Sequence, residues 1–473
     1  MTMREPLFTL LPRPKPTGLD GRHVLVLGLG DTGLSVARWI THAGGRVRVA
    51  DTRPAPPGAA ALAEAVPQAE LHRGAFDASL LDGVDLMCLS PGLALAEPVV
   101  QAAIARGLPV VGDIELFAWQ LRAMPGAQVI AVTGTNGKTT VTALVGHLLR
   151  GAGVDCEVAG NIGPAALTAL LARAQAGSTP DMWLLELSSY QLETTCSLEP
   201  DVATLLNLSE DHLDRYASVD EYAAAKARVF QGRGVQILNR DDARSAALAV
   251  TGRRHLTFGL DAPARPADFG LRARAGDIWL VHGGTDLLPE NALRIHGRHN
   301  VANALAAAAL AHAAGIGREA IVAGLRSFEG LPHRLARVAL RRGVAWYDDS
   351  KGTNVGATVA ALCGLPADGR IVLIAGGDGK GQDFASLVAP IARRARHVLL
   401  IGRDAARIAD ALAPSGVALE RCATLEDAVL RAAQRAVPGD AVLLSPACAS
   451  FDMFRDYRAR GEAFARAVGG LEA

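Results

Sequence analysis

The chain has 473 residues, half of them apolar, and its 48 lysines and arginines are balanced by 48 aspartates and glutamates. That length exceeds a single hydrophobic core and fits about three domains of roughly 150 residues each. The balanced charge excludes a summed field for nucleic acid or an anionic membrane, so any phosphate recognition has to be local. Cys88, Cys156, Cys196, Cys363, Cys422 and Cys448 lack C-x-x-C spacing, which argues against a zinc site or disulfide framework and for reduced thiols in a cytoplasm.

Met1–Pro16 carries a short apolar patch broken by prolines, without the uninterrupted run of an export signal. His23–Leu27 then predicts a strand, followed by Gly28-Leu29-Gly30-Asp31-Thr32-Gly33, a helix over Leu34–Ala43 and a strand over Arg46–Ala50 that ends at Asp51. Strand, G-x-G-x-x-G, helix, strand and acid define a Rossmann-like unit, and local spacing favours a nicotinamide dinucleotide with Asp51 on a ribose. The fingerprint itself requires only a pyrophosphate at a helix N-terminus and a polar group at the next strand end, which suits a sugar nucleotide equally. Asp31 would repel that pyrophosphate unless turned to solvent. Strands at Leu86–Leu89 and Val110–Val111 continue the pattern, and a first domain, residues 1–125, closes at Ala123-Met124-Pro125-Gly126.

A second domain, residues 126–330, opens on Val129-Ile130-Ala131-Val132, then Thr133-Gly134-Thr135-Asn136-Gly137-Lys138-Thr139-Thr140, then a helix over Val141–Arg150. This order builds a triphosphate cradle: amides of Gly134–Lys138 point at anionic oxygens, Lys138 adds a mobile charge, and Thr139 places its hydroxyl for Mg²⁺. Val132 stands where the generic loop pattern has Gly. Glu186 follows the apolar strand Met182–Leu185, where a carboxylate at the open sheet edge suits a divalent cation, whereas Glu193 reads as a helix-face charge. Asn207–Asp214 follows a strand over Ala203–Leu206, and its His212 is either a metal ligand or a satisfied structural histidine. Lys226, on a helix over Tyr222–Phe230, is by itself a solvated lysine. A strand over Val235–Leu238, short strands and turns in 251–295, and a helix over Asn300–Ala314 complete the domain; its Ala-rich run is shorter than the ~20 apolar residues of a membrane span.

Gly330-Leu331-Pro332 is a hinge into a third domain, residues 331–473, where strands at Ala345–Tyr347, Ile371–Ala375, Val398–Ile401 and Ala441–Leu444 alternate with helices and predict a parallel sheet. His333-Arg334, Asp348–Asn354 and Gly376–Gly381 put Arg334, Lys351 and Lys380 at strand ends, where cations suit a carboxylate-bearing substrate or a reacting phosphate. The fold class is therefore α/β, with a Rossmann-like N-terminal domain, a P-loop ATPase-like central domain and a Rossmann-like C-terminal domain.

Together these segments resemble the Mur ligase family of cell-wall enzymes from Val24 to Phe464. The resemblance is carried by Val132–Thr140, Gly160-Asn161-Ile162-Gly163, Glu186–Thr194, Glu210–Tyr216, Gly297–Ala304, Gly330–Arg334, Asp348–Asn354, Gly376–Phe384 and Ser445–Phe454. The family's own loop, Thr-Gly-Thr-Asn-Gly-Lys-Thr, accounts for Val132, and Gly112–Phe117 with Ser90-Pro91-Gly92 looks like its D-glutamate-adding branch. The resemblance implies an ATP-dependent, Mg²⁺-requiring amide ligase that joins D-glutamate to UDP-N-acetylmuramoyl-L-alanine through an acyl phosphate. It implies a cytoplasmic monomer in peptidoglycan precursor synthesis, and hence in cell-wall biogenesis, cell shape and division. Its partners would be small molecules, with no nucleic acid and no membrane span.

By the same resemblance, Gly134, Thr135, Asn136, Gly137, Lys138, Thr139 and Thr140 would bind ATP together with Asn300, Asn303 and Asp349. Thr139, Glu186, His212 and Lys226, the last as a carbamate, would hold metal. Gly30, Thr32, Asp51, Thr52, Arg53, Gly92, Asn161 and His212 would meet the UDP-substrate, and Thr353, Lys380, Ser450, Phe451 and Tyr457 would surround D-glutamate. Lys138, Glu186, His212, Lys226, Lys351 and Arg334 make up the implied catalytic set. Tyr457 stands where close relatives carry Phe. An oxidoreductase fused to a nucleotide-binding domain and a non-enzymatic ATP switch are the alternatives. Within the family, the folate-polyglutamating enzymes and other amino-acid-adding ligases lack a reason for Gly112–Phe117 beside a uridine-type site.

Overall fold

The computed structural model describes residues 18–124, 126–211, 215–365 and 369–471. Met1–Pro16, with the export-signal reading, and His212 lie outside the described residues. The chain divides into two compact units: the described residues of Met1–Gly259, Pro263–Phe269 and Ala306–Ile321 form one, and those of Leu260–Ala262, Gly270–Leu305 and Val322–Ala473 the other. Among the described residues no helix is long and apolar enough to cross a membrane.

In the first unit, β1 (His23–Leu27), β2 (Arg46–Asp51), β3 (Glu70–Arg73), β4 (Leu86–Leu89) and β5 (Val110–Val111) form a parallel sheet in the order β3-β2-β1-β4-β5. Val24, Leu25, Val26 and Leu27 are wholly buried, as expected for a central parallel strand covered on both faces. The strand order reverses between β1 and β4, where open α/β sheets bind ligands, and the Gly28–Gly33 and Ser90-Pro91-Gly92 loops emerge there. Close packing requires the glycines: a Cβ on Gly33 would stand 1.9 Å from the Gly28 carbonyl oxygen, to which Ser90 Oγ also donates at 3.1 Å. The first helix, Asp31–His42, starts three residues before the apolar pattern does. Asp31 is exposed in its first turn, so the carboxylate faces solvent and complements the helix N-terminus.

Next come β6 (Gln128–Thr133), β7 (Cys156–Gly160), β8 (Met182–Glu186), β9 (Val202–Leu205), β10 (Val235–Asn239) and β11 (His255–Phe258), side by side in the order β11-β10-β9-β6-β8-β7. All neighbouring pairs are parallel. Because β8 and β9 flank β6, the segments following both strands open beside the loop after β6. This placement is what assembles the site.

The helix Asp113–Leu121 bridges from the first sheet to the second within the same compact unit. Phe117 meets Trp183 edge-on with ring centroids 5.0 Å apart, and wholly buried Glu115 accepts from the Cys196 and Ser197 amides (2.5 and 2.9 Å) and from Trp119 Nε1 (2.9 Å). Asp113 Oδ2 accepts from Gln191 Nε2 at 3.1 Å while Oδ1 has no hydrogen-bond partner. Burial, opposed by the Gln191 bond, raises the Asp113 pKa to about 6. The folded chain then holds this proton more tightly than the unfolded chain, so the stabilisation is complete below the ordinary value of 3.8 and is lost as pH rises through the folded-state value. Asp113→Asn should therefore gain stability relative to the parent by on the order of 2 kcal/mol between about pH 4 and pH 8. Urea unfolding at both pH values checks this; a pH-independent difference would contradict it.

Further along lie β12 (Phe269–Arg274), β13 (Asp277–His282), β14 (Thr285–Pro289), β15 (Ala336–Arg341), β16 (Val344–Asp348), β17 (Ile371–Gly376), β18 (Ala395–Ile401), β19 (Ala418–Arg421) and β20 (Ala441–Leu444). In the second unit β13 and β14 make an antiparallel hairpin, and the last six strands form a sheet in the order β15-β16-β20-β17-β18-β19. The four expected strands, β16, β20, β17 and β18, pair in parallel as the sequence predicts, and the sheet gains an edge strand that was not expected, β15, which runs antiparallel to β16. Arg342 and Gly343 link them with φ of +50° and +73°, a two-residue hairpin turn too short for a parallel crossover. Since β20 lies between β16 and β17, the segments Asp348–Asn354, Ser445–Ser450 and Gly376–Gly381 meet at one sheet edge.

Candidate active site

The loop after β6 bends at Gly134 (φ +150°) and Gly137 (φ +84°) before the helix Lys138–Gly151. A Cβ on Gly134 would also press within 3.0 Å of Leu206 Cβ. Asn207 braces the loop: its carbonyl accepts from the Thr135 amide (2.9 Å), its Oδ1 from the Asn136 amide (2.8 Å), and its Nδ2 donates to the Asn136 carbonyl (3.0 Å). The expectation that every amide from Gly134 to Lys138 faces a ligand is thereby corrected, since two of them serve Asn207. Lys138 Nζ folds back on the Gly134 and Thr135 carbonyls at 2.9 and 3.0 Å.

Glu186, buried at the end of β8, accepts through Oε1 from Asn161 Nδ2 (3.0 Å) and Thr139 Oγ1 (3.3 Å). Its Oε2 is buried with no hydrogen-bond partner. Leaving such an atom unsatisfied costs about 1–3 kcal/mol, and a divalent cation would supply the missing contact. The Asn161 loop closes on this strand because Gly160 carries no side chain: a Cβ there would lie 2.4 Å from the Glu186 carbonyl oxygen.

Lys226 is 1% exposed, which excludes a solvated lysine. Its Nζ donates to the Gly134 carbonyl at 2.9 Å, lies 3.5 Å from Thr133 Oγ1 and stands 4.7 Å over the Tyr222 ring. Burial, reinforced by the positive charge of Lys138, lowers its pKa well below the usual lysine range. Tyr222 in turn places its hydroxyl 3.2 Å from Thr135 Oγ1. Glu193 also departs from expectation: it is a buried partner of Arg215, at 2.6 Å, rather than a helix-face charge. Among the described residues no group of three or more His, Cys, Asp and Glu is placed to hold a metal.

At the first sheet, Asp51 is buried and accepts from the Leu29 amide (2.7 Å) and from Arg53 through its amide (2.9 Å), Nε (2.8 Å) and Nη2 (2.6 Å). The Arg53 hydrogen bonds hold its carboxyl well below the usual range against the opposing effect of burial. Both carboxylate oxygens are engaged in shaping the Gly-rich loop, which weighs against a ribose-binding acid. Thr52, Arg53 and Gly92 are exposed around it, while Gly30 and Thr32 are half-buried.

The second unit carries the remaining candidates. Asn300 and Asn303 sit in the first turns of the helix Arg298–Ala313, joined by an Asn303 Nδ2 to Asn300 Oδ1 bond of 3.0 Å. Asp349 accepts from Ser445 Oγ (2.7 Å) and the Leu335 amide (3.2 Å); burial raises its pKa to about 7 although Ser445 and Arg334 oppose the shift. Lys351 Nζ lies 3.8 Å from the centre of the Tyr457 ring. Arg334 and Thr353 are half-buried, Ser450 is buried, and Lys380 (φ +48°) and Phe451, 71% exposed, are turned to solvent.

Arg460 escaped the sequence reading. Fully buried, it donates to Ser350 Oγ and to the Ser350 and Cys448 carbonyls, tying the β16 loop to the β20 loop. The available signal was its neighbour Gly461, since an isolated Gly inside a helical pattern marks a packing constraint; a Cβ there would lie 2.2 Å from His333 Nδ1. Asn207 and Tyr222 gave no such signal.

A strand, Gly-rich loop and helix with a buried carboxylate on the neighbouring strand have the build of P-loop nucleotide-binding enzymes. Comparison with known proteins is narrower: residues 22–112 match the Mur ligase MurD-like N-terminal domain, 132–311 the Mur ligase middle domain and 333–448 the Mur ligase glutamate ligase domain. The chain belongs to the Mur ligase family. It is 55% identical over 459 residues to a UDP-N-acetylmuramoylalanine--D-glutamate ligase of Nitrosospira multiformis, covering 96% of this chain and 97% of that protein. It is likewise 55% identical over 454 residues to the enzyme so named in Methylobacillus flagellatus, at 96% and 98% coverage. A UDP-N-acetylmuramate-alanine ligase structure from Thermotoga maritima shares the fold, with a TM-score of 0.59 at 19% identity over 94% of this chain and 98% of that one. The nicotinamide-dinucleotide reading of the first segment gives way to this match.

Proposed function

We propose that this protein is an ATP-dependent ligase joining D-glutamate to UDP-N-acetylmuramoyl-L-alanine, acting as a cytoplasmic monomer in peptidoglycan precursor synthesis and so supporting wall growth and division. The observation that supports the site is that two residues from elsewhere in the chain reach the same P-loop: Glu186, with an unsatisfied Oε2, accepts from Thr139, and Lys226, with a buried amine, donates to the Gly134 carbonyl. Residues 1–125 would take the UDP moiety, 126–330 ATP and 331–473 the amino acid.

In the reaction, the acceptor carboxylate takes the γ-phosphoryl group of ATP, giving an acyl phosphate and ADP. The D-glutamate amine then attacks the acyl carbon, phosphate leaves, and the amine loses its proton. Two anions must meet in the first step, so neutralisation is the main requirement. Lys138 would leave its loop carbonyls for the β- and γ-phosphates. Thr139, Glu186, His212 and a carbamylated Lys226 would hold Mg²⁺, whose charge would offset that of the transferring phosphoryl. Carbamylation turns an amine into an anionic ligand and needs the neutral form, in keeping with the lowered Lys226 pKa. The remaining P-loop residues Gly134, Thr135, Asn136, Gly137 and Thr140, with Asn300, Asn303 and Asp349, are assigned to the nucleotide, and Lys351 and Arg334 to the reacting phosphate. Gly30, Thr32, Asp51, Thr52, Arg53 and Gly92 are assigned to the UDP end, Asn161 and His212 to the muramoyl portion. Thr353, Lys380, Ser450, Phe451 and Tyr457 are assigned to D-glutamate.

Phosphate release across a panel of UDP-muramoyl acceptors and amino acids tests this directly. Turnover should require ATP, Mg²⁺, UDP-N-acetylmuramoyl-L-alanine and D-glutamate together; equal turnover with L-glutamate or L-lysine would refute the substrate assignment.

A further inference from the structure

Arg215 and Glu193 form a pair with side chains only 11% and 5% exposed. Arg215 Nη2 and Nε donate to the two oxygens of Glu193 at 2.6 and 3.3 Å, Nη1 donates to the Pro91 carbonyl at 3.0 Å, and the guanidinium lies 4.3 Å over the Tyr190 ring. Pro91 is the middle residue of the Ser90–Gly92 loop, which Ser90 already fastens to the Gly28 carbonyl. On the other side, Tyr190 stacks on Tyr216 (6.3 Å between centroids), Tyr216 meets Tyr222 (5.3 Å), and the Tyr222 hydroxyl reaches Thr135 of the P-loop. One chain of contacts thus runs from the β4 loop to the nucleotide loop, and Arg215 is the link in it that grips the β4 loop. A planar guanidinium can face a carboxylate, a carbonyl and a ring at once, which a lysine ammonium cannot reproduce.

We propose that Arg215 is a positioning residue for the nucleotide-sugar acceptor, holding Ser90–Gly92 in its binding position by clamping the Pro91 carbonyl to Glu193. The inference rests on the acceptor role given above to Gly92. It needs no contact between Arg215 and the reacting atoms.

Steady-state kinetics with each substrate varied in turn, together with calorimetric titration of UDP-N-acetylmuramoyl-L-alanine, test it in the parent, Arg215→Ala, Arg215→Lys and Glu193→Gln. Arg215→Ala should raise the acceptor KM and Kd about tenfold or more while the KM values for ATP and D-glutamate stay within about twofold. Arg215→Lys should fall between that variant and the parent. A purely structural Arg215 would lower the Tm and the active fraction but leave the acceptor KM unchanged, and that result overturns the proposal. If Arg215→Ala fails to fold, Arg215→Lys and Glu193→Gln carry the comparison, and an unchanged acceptor KM in both overturns it equally. Absence of ligation by the parent chain would overturn the functional reading and this proposal together, whereas ligation with unchanged acceptor KM in the variants overturns this proposal alone.

Discussion

Lys226→Ala is expected to lower kcat by about a thousandfold or more, the scale on which loss of several kcal/mol of charge stabilisation appears in a rate. The argument begins with burial. An ammonium removed from water beside Lys138 is disfavoured, which is why the Lys226 pKa lies well below the usual range. The neutral amine can add to CO2 and release a proton, producing a carboxylate-like group at the Gly134 carbonyl's side of the loop. Lowering the pH reverses this in two ways, by protonating the amine and by displacing the carbamate, so activity should fall toward acid. Lys226→Arg should not rescue, because a guanidinium stays charged and cannot form the carbamate. Carbon-13 NMR of enzyme equilibrated with labelled CO2 should show a carbamate resonance in the parent and none in Lys226→Ala. Parental turnover in that variant would remove Lys226 from the catalytic set.

What sequence could show depended on where the information lies along the chain. β1, β4 and β20 occupy the predicted residues, because interior strands covered on both faces need consecutive apolar side chains; β5 does so too although it is a sheet edge, since Val110 and Val111 are both buried. β3, β7 and β19 are sheet edges, where half-solvated residues such as Glu70, Glu157 and Glu420 break the apolar run. The P-loop was legible for a related reason, since its glycines, Lys138 and Thr139 are neighbours in sequence. Asn207, Arg215 and Arg460 were not, because each takes its role from a contact 71, 124 or 110 residues away. Glu193 was misread on the same ground: alone it is a charge on a five-residue helix, and only the fold supplies the Arg215 that offsets its burial.

Glu186→Gln should abolish turnover yet leave the unfolding temperature unchanged or raised, a combination that separates a ligand from a structural acid. In the parent, Asn161 and Thr139 both donate to Oε1, and the carbonyl oxygen of the substituted amide can accept both bonds in the same way. The other carboxylate oxygen receives no protein donor, so replacing it removes no hydrogen bond; a buried carboxylate lacking a partner is costly, and a neutral amide lowers that cost. Stability therefore has little reason to fall. Activity does, because an amide NH2 cannot ligate a cation and would present its positive edge where a hard oxygen ligand is needed. Differential scanning calorimetry without nucleotide, paired with phosphate release at saturating ATP and Mg²⁺, reads both effects. A variant that keeps turnover, or one that loses activity only in proportion to lost folded protein, would show that Glu186 supports the β8 strand end and not the metal.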